Sequence, residues 1–216
     1  MEMGRISFLT PAGAGREATR RRALTMPLGS FECVGDIRAG RDIYTMKELR
    51  ATSVFHDIRS NPVKGAIALF IAEVLSVVLR ENQEDLVLFT FLNYAIKRLN
   101  DTDSSKASNF HICFLYKLGR YIGIEPDVST YREGRIFDML DGTFRTTAPL
   151  HNNYLKREAA TVVAALSRMT FDNMHHFRFT RGERHDLLDN ILRYYTIHYA
   201  TLSSLRSIDV LRALFD

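Results

Sequence analysis

The sequence predicts an α+β protein that is mainly helical, in which a small β region comes first and a helical region follows. Residues 1–59 contain short alternating runs broken by glycine and proline, which is typical of strands. From Asn61 onward the apolar residues repeat with helical spacing. A second β-type pattern interrupts the helices at about residues 131–148. We therefore expect a β domain at residues 1–59 and a helical domain at residues 60–216 that carries a small hairpin insert.

Composition bounds the class of protein before any motif is considered. The chain has 216 residues, of which 46% are hydrophobic, so it can build a sizeable core and is not disordered. The longest apolar run, Ala66–Leu79, is shorter than the ~18 residues that cross a bilayer and contains Glu73. Two cysteines, Cys33 and Cys113, are too few for a disulfide scaffold or a four-thiolate zinc site. We expect a protein of the reducing cytoplasm with no membrane partner.

Three runs in the N-terminal region predict strands of a small antiparallel sheet. The first is Arg5–Leu9, which alternates and stops before Pro11. The second, Leu24–Ile37, is broken near Pro27-Leu28-Gly29, and the third, Asp42–Met46, can continue to Phe55. Three or four strands are few for an independent β domain.

A cluster of arginines dominates the charge of this first region. The net charge of the chain is +4, and residues 1–59 hold 10 basic and 7 acidic side chains against 19 and 18 in the remainder. The excess gathers at Arg16, Arg20, Arg21 and Arg22, which the sequence places in a loop opened by Gly13 and Gly15. Such a cluster suits a phosphate backbone or an acidic peptide, and a solubilising surface is the alternative.

Aromatic side chains accompany the arginines in the predicted strands. Phe8, Phe31 and Tyr44 could stack on the bases of a single strand while the cations follow its phosphates. Core packing is the favoured interpretation of Phe8 and Phe31, so the arginines are the better candidates for binding.

Helix signals are clear in the second region. Asn61-Pro62 predicts an N-cap followed by proline at the first helical position. A buried stripe then runs from Val63 to Leu79 at helical spacing. The further predicted helices span about Glu84–Leu99, Ala107–Ile122 with a stop at Gly123, Lys156–Arg168, a segment that opens on the capping box Thr180–Glu183, and Ile208–Phe215.

The insert is predicted from an Asp-Gly pair. Asp141-Gly142 lies between two β-type runs, Arg135–Leu140 and Thr143–Thr146. This pair favours a tight hairpin turn in which both turn residues have positive φ.

No pattern of residues supports catalysis or metal binding. The sequence has no glycine-rich phosphate loop, no Gly-x-Ser-x-Gly elbow and no His-Glu-x-x-His pair. His175-His176 with His185 comes nearest to a metal cluster, but adjacent residues of an extended segment point to opposite faces. Asp138 and Asp141 are better explained by turn chemistry than by acid–base catalysis. We expect no catalytic residue, no metal and no cofactor.

The third predicted helix is amphipathic and has a basic edge. Phe110 and Phe114 supply apolar surface, and Lys117, Arg120 and Tyr121 could line its rim. A shallow apolar pocket rimmed by cations fits a short acidic peptide that ends in a carboxylate. An ordinary packed helix with solvated charges is the favoured alternative.

Several segments, in this order, resemble the RecO family of bacterial DNA repair and recombination mediators. The resemblance covers nearly the whole chain and rests on order and spacing more than on any single motif. Its pieces are similar to the first helix, the second helix, the central motif and the C-terminus of the family's helical domain: Asn61-Pro62-Val63-Lys64 with Ala68–Leu75, Leu88–Leu92, Asn109–Leu115 with Leu118–Pro126, and Tyr194–His198 with Leu205–Leu211.

The resemblance implies a fold and a set of partners. It implies an N-terminal OB-fold, here partial, followed by a helical domain, with binding to single- and double-stranded DNA and annealing of complementary strands. It also implies partnership with RecR, capture of the acidic C-terminal tail of SSB, and, indirectly, loading of RecA. The residues expected to bind DNA are Arg5, Arg16, Arg20, Arg21 and Arg22. Those expected to bind the SSB tail are Phe110, Phe114, Lys117, Arg120 and Tyr121.

The sequence departs from the family pattern in two places. Many relatives carry four cysteines as a zinc knuckle where this chain has Ser129–Glu133, so we expect a zinc-less hairpin held by its own turn and packing. Two strands that precede Arg5–Leu9 in the family have no counterpart here, which suggests truncation by a misplaced start codon at Met1 or Met3. An in-frame stop directly before Met1 would contradict this.

Two other classes of protein remain as alternatives at the level of sequence. One is a helical scaffold that binds only proteins, whose basic segment does not bind DNA. The other is a nuclease, which would need clustered acidic residues to hold metal ions. Salt-dependent DNA binding and metal-dependent cleavage are the observations that separate them.

Overall fold

The structure, a computed structural model, describes residues 4–10, 13–36, 43–79, 84–199, 202 and 205–214. It is a mainly helical α+β fold with two small sheets, as the sequence predicts. The chain forms two compact units, residues 1–101 and residues 102–216. The domain boundary placed at residues 59 and 60 from the sequence stays a prediction.

The first unit contains a three-stranded mixed sheet. Its strands are β1 (Ser7–Leu9), β2 (Ser30–Asp36) and β3 (Ile43–Ser53), in the order β1-β3-β2. β2 pairs with β3 antiparallel, but β1 pairs with β3 parallel. The prediction of an all-antiparallel sheet is therefore wrong for β1. The parallel pair needs the long crossover that the intervening chain supplies, and no local sequence signal encodes such a pairing.

A helix, α1 (Arg16–Leu24), stands where the sequence predicts a loop. The helix follows Gly15, whose φ of +97° is accessible to glycine. None of its residues is buried, so it lacks the apolar stripe by which helices are recognised. Arginine and alanine are strong helix formers, and Glu17 in the first turn with arginines in the last turn complements the helix dipole. The loop prediction is wrong because propensity and charge, not hydrophobic periodicity, favour this helix.

Three helices complete the first unit: α2 (His56–Ser60), α3 (Pro62–Val78) and α4 (Leu86–Asp101). The predicted start of α3 is confirmed, because the side-chain oxygen of Asn61 accepts hydrogen bonds from the N–H groups of Val63 and Lys64 at 3.0 and 3.2 Å. The short α2 carries no sequence signal of its own and was not predicted.

A buried lysine joins these three helices. Lys64 of α3 is 1% exposed, and its Nζ donates to Oδ2 of Asp57 at 2.9 Å and to the carbonyl of Asn100 at 2.6 Å. The N–H of Asp57 donates in turn to Oδ1 of Asn100 at 3.1 Å. A buried ammonium is tolerated only with such partners, so this network fixes α2 and the end of α4 against α3.

The second unit is built around α5 (Phe110–Tyr121), of which nine residues are buried. It is preceded by the 3₁₀ helix Ser104–Asn109 and ends before Gly123, which has a φ of +78° as a C-terminal stop requires. The other helices are α6 (Arg157–Leu166), α7 (Arg181–His198) and α8 (Ser207–Leu214). Two further 3₁₀ helices span Val128–Thr130 and Met174–His176.

Hydrogen bonds from tyrosines hold α7 onto α5. The hydroxyl of Tyr195 donates to the carbonyl of Leu115 at 2.5 Å, and that of Tyr199 to the carbonyl of Ile122 at 2.6 Å. The start of α7 is confirmed as a capping box between Thr180 and Glu183.

The predicted hairpin is present and gains a third strand. Its strands are β4 (Ile136–Asp138), β5 (Thr143–Arg145) and β6 (Tyr154–Leu155), and β4 pairs antiparallel with both of the others. Four residues separate β4 from β5, and only Gly142 has a positive φ, of 66°. The prediction of positive φ at both turn residues is therefore wrong.

Charged side chains organise this hairpin beyond its turn. Asp138 is 1% exposed, and its carboxylate lies 3.1 Å from Nε of Arg145 and 3.4 Å from Nε2 of His151. Its Oδ1 also accepts from the N–H of Leu140 at 3.0 Å, and Arg145 contacts Asp141 as well.

Among the described helices, none is both long enough and apolar enough to span a membrane.

Candidate nucleic-acid interface

A basic groove lies between α1 and β3 in the first unit. Its volume is about 290 Å³. Arg20 and Arg21 line it from the helix, and Lys47 and Arg50 line it from the strand. Two acidic residues, Glu17 and Glu48, also reach the groove, so the lining carries a net charge of +2. Four cations along one groove suit a chain of phosphates.

A β-bulge turns one of these cations out of the sheet. Val34 of β2 pairs with Glu48, whereas the next residue, Gly35, pairs with Met46. Lys47 is therefore the extra residue on β3 and has no partner across the ladder. It is exposed, while the preceding Met46 is buried, and its Nζ lies 3.6 Å from a carboxylate oxygen of Asp36.

The predicted DNA-binding arginines fall into three situations. Arg20 and Arg21 line the groove, and the side chain of Arg20, 65% exposed, has a 4.0 Å ion pair with Glu17. Arg16 and Arg22 are exposed on α1 but do not line the groove. Arginine pairs at this exposure contribute little stability, so these side chains are available to a ligand.

Arg5 has a structural contact. Its Nη1 donates to the carbonyls of Ser76 at 2.7 Å and Leu79 at 3.2 Å, at the end of α3. A cation at a helix C-terminus satisfies carbonyls that have no partner within the helix. A DNA contact for Arg5 stays a prediction.

Sequence reasoning missed Lys47 and Arg50. The available signal was the run Lys47-Glu48-Leu49-Arg50 in the extension of the third predicted strand. This run can be recognised as part of a site only when α1 is known to be a helix and the register of β3 against β2 is known. The sequence predicts neither.

The aromatic residues of the sheet pack against it. Phe8, Phe31 and Tyr44 are half-buried, and the rings of Phe8 and Tyr44 lie 6.3 Å apart. The Phe8 ring covers Gly35, where an added Cβ would come within 2.7 Å of Cε1. This packing agrees with the favoured interpretation of Phe8.

The rings expected to bind the SSB tail lie inside the second unit. Phe110 and Phe114 are 0% and 1% exposed, and Phe110 stacks on Phe171 with the ring centroids 4.8 Å apart. Neither ring can contact a peptide unless the core opens. Their burial agrees with the alternative given from the sequence, an ordinary packed helix.

The cationic rim of that candidate site is at the surface. Lys117 and Tyr121 are half-buried, and Arg120 is exposed with its Nε 3.9 Å from a carboxylate oxygen of Glu125. The structure thus separates the two apolar rings from the three rim residues, whose role in binding a tail stays a prediction.

A small pocket with an almost wholly apolar wall also lies in the second unit. Tyr116 and Pro126 line one part of it, and Asn190, Ile191 and Tyr194 of α7 line another. The hydroxyl of Tyr116 is buried without a hydrogen-bond partner in the described structure. Burial raises the pKa of Tyr116 well above its ordinary value, so this hydroxyl stays a neutral donor.

Neither a cluster of metal ligands nor an activated thiol accompanies these surfaces in the described part of the chain. No group of three or more His, Cys, Asp or Glu side chains there could hold a metal ion. Cys113 is buried, which raises the pKa of its thiol to about 12 and keeps it from acting as a nucleophile. Burial also raises the pKa of the half-buried Cys33.

Comparison with known proteins gives one consistent result. Residues 59–206 match the family model described as "Recombination protein O C terminal". The chain is 38% identical over 215 residues to the "DNA repair protein RecO" of Phocaeicola vulgatus, covering all of this chain and 89% of that protein. It is 38% identical to the protein of the same name from Bacteroides fragilis, over 99% of this chain and 88% of that one. It is 36% identical to the protein of that name from Porphyromonas gingivalis, over 100% of this chain and 89% of that one.

Proposed function

Since the chain belongs to the RecO family of recombination and DNA repair proteins, we propose that it is a recombination mediator that works by binding rather than by catalysis. It binds single- and double-stranded DNA, anneals complementary strands and, with RecR, helps to load RecA onto single-stranded DNA coated with SSB. These activities take place in the cytoplasm. Each step is stoichiometric, so no nucleophile, metal or cofactor is needed.

The groove between α1 and β3 is the observation that carries the proposal. Arg20, Arg21, Lys47 and Arg50 place four cations along one surface, and each phosphate contact releases a counterion from the strand. Arg16 and Arg22 lie on the same helix outside the groove, and a DNA contact for them stays a prediction. A strand held here has part of its charge neutralised, so a complementary strand approaches against weaker repulsion.

The second unit supplies the contact with SSB in this proposal. Lys117 and Arg120 receive the acidic residues and terminal carboxylate of the tail, with Tyr121 beside them. Because Phe110 and Phe114 are buried, they support this rim from the core and do not contact the tail themselves. Capture of the tail raises the local concentration of the protein at coated DNA, which favours exchange.

A fluorescence annealing assay tests the proposal. Two complementary oligonucleotides are coated with SSB, and their pairing is followed with and without the full chain at two salt concentrations. We expect acceleration that fades as salt rises. No acceleration at either salt concentration, with tail-peptide binding retained, would contradict the mediator function and favour a scaffold that binds only proteins.

A double charge reversal tests whether the DNA and SSB sites are separate. Arg20→Glu with Arg21→Glu should weaken oligonucleotide binding and leave tail-peptide binding unchanged, because the two surfaces belong to different units. Equal loss of both activities would contradict separate sites.

A further inference from the structure

A second cationic cluster lies in the second unit, formed by Lys106, His175 and His176. The two imidazole rings have centroids 4.0 Å apart and planes inclined by 40°. Lys106 belongs to the 3₁₀ helix Ser104–Asn109, which packs against the 3₁₀ helix Met174–His176. Lys106 and His176 are exposed, and His175 is half-buried.

The backbone that carries the two histidines is held from the core. The amide nitrogen of Asn109, which is 2% exposed, donates to the carbonyls of Met174 at 3.0 Å and Phe177 at 2.7 Å. The carbonyl of the same side chain accepts from Nε of Arg184 at 3.1 Å. Met174 is fully buried. The rings are therefore presented from a fixed segment, as a binding surface needs.

The charged groups that act on His175 are cationic. Partial desolvation lowers the pKa of His175, and His176 and Lys106 lower it further. Within the described ranges, none of the three side chains forms an ion pair with a carboxylate. The nearest acidic residue along the 3₁₀ helix, Asp103, uses its Oδ1 to accept from the N–H and hydroxyl of Ser105. A cationic site with no anion of its own is suited to an external one.

We propose that Lys106, His175 and His176 form a second strand-binding site, which takes phosphodiester groups of a nucleic acid and binds them more tightly as the pH falls. The inference rests on the proposed function and adds a site on the helical unit. The lysine contributes a fixed charge, and each histidine contributes a charge only when it is protonated. A phosphate offsets the repulsion between the two imidazolium rings, so binding and protonation favour each other.

The flat rings favour a nucleic acid over an acidic peptide. Imidazole faces stack on unpaired bases, and stacking tolerates any sequence. Two adjacent rings beside a lysine thus offer both a face for a base and a cation for its phosphate.

Titration of the imidazole signals by NMR tests the proposal on the full chain. Ring signals of His175 and His176 are followed against pH with and without a saturating oligothymidine. We expect the bound oligonucleotide to keep the rings protonated to higher pH, with an affinity about tenfold higher at about pH 6 than at about pH 8. Titrations that the oligonucleotide leaves unmoved would overturn the proposal.

Variants separate this site from the groove. His175→Gln with His176→Gln should abolish the rise in affinity between about pH 8 and about pH 6 and leave the groove's salt-dependent binding in place. His56→Gln, an exposed histidine of the first unit, is the matched control and should keep the pH dependence. An unchanged pH dependence in the double variant would refute the second site while the proposed function stands.

Failure of the proposed function gives a different pattern. If the wild-type chain binds no oligonucleotide at any pH, both the DNA-binding function and the nucleic-acid assignment of this cluster are wrong. A synthetic acidic peptide is tested in parallel. If the peptide moves the imidazole titrations and the oligonucleotide does not, the cluster is a peptide site and the proposal is overturned.

Discussion

The salt dependence of DNA binding gives a quantitative test of the groove. If Arg20, Arg21, Lys47 and Arg50 each contact one phosphate of a single strand, the logarithm of affinity should fall with the logarithm of salt with a slope of about −2.8. Between about 50 mM and about 200 mM salt this is a loss of about 50-fold. Arg20→Gln with Arg21→Gln removes two contacts and should reduce the slope to about −1.4, or a loss of about sevenfold.

Fluorescence anisotropy with a labelled oligothymidine measures these slopes directly. The matched control is Arg16→Gln with Arg22→Gln, which removes the same charge from the same helix at positions that do not line the groove. Its slope should stay near that of the wild type. Thermal unfolding of both variants checks that α1 is intact, and we expect little change because the Arg20–Glu17 pair is exposed.

Two results would refute this reasoning. An equal fall in slope for both double variants would show that the strand follows the whole of α1 and not the groove. A wild-type slope retained by both would show that the arginines of α1 make no phosphate contact, and that DNA binding uses another surface.

The remaining predictions concern stability. Burial lowers the pKa of His111 to about 3, so the folded protein keeps this imidazole neutral while the unfolded chain takes up a proton below about pH 6.5. The free energy of unfolding should therefore fall by about 2 kcal/mol as the pH is lowered from about 7 to about 5. Denaturant unfolding at about pH 7 and about pH 5 should show this loss, which His111→Leu should reduce. Asn109→Leu removes the side-chain amide that donates to the carbonyls of Met174 and Phe177, of which the first keeps only the N–H of Phe177, and it should cost about 2 kcal/mol by the same assay. A loss below about 1 kcal/mol would contradict the anchoring role. Asp57→Asn removes the carboxylate from buried Lys64 and should cost about 2 kcal/mol in thermal unfolding, whereas an unchanged melting temperature would show that the Asn100 carbonyl suffices.

The parts of the fold that sequence reasoning predicts correctly depend on local chemistry. Asn61 and Pro62 determine the start of α3, since the cap and the missing N–H act within one turn. The capping box from Thr180 to Glu183 does the same for α7, and Gly123 ends α5 because it adopts a positive φ. Each signal is complete within a few residues.

The errors arise where hydrophobic periodicity gives no signal or where distant residues decide the outcome. α1 buries no residue, so its arginines give no periodic pattern from which a helix could be recognised. The parallel pairing of β1 with β3 depends on segments far apart in the chain. A helix with apolar residues on most of its surface, such as α5, does not reveal which rings face solvent, and Phe110 and Phe114 prove to be core residues.

The candidate DNA site is only partly predictable from the sequence, because it combines a local cluster with a register between two strands. The arginine cluster is visible in the sequence, and Arg20 and Arg21 indeed line a groove. Lys47 is the extra residue of the bulge opposite Val34 and Gly35, and the groove that it lines with Arg50 also requires α1 as a helix. Register is a property of two strands together, so one strand's sequence does not determine it.

The hairpin insert is held by an ion-pair cluster, which resists different chemical agents from a metal–thiolate cluster. The buried carboxylate of Asp138 lies against the guanidinium of Arg145 and the imidazole of His151, and no cysteine occurs between residues 131 and 155. Peroxide and chelators dismantle a thiolate cluster by removing its sulfur ligands or its ion, but a guanidinium offers them no point of attack. The order of this insert should therefore survive oxidants and metal chelators, and should depend instead on the guanidinium of Arg145.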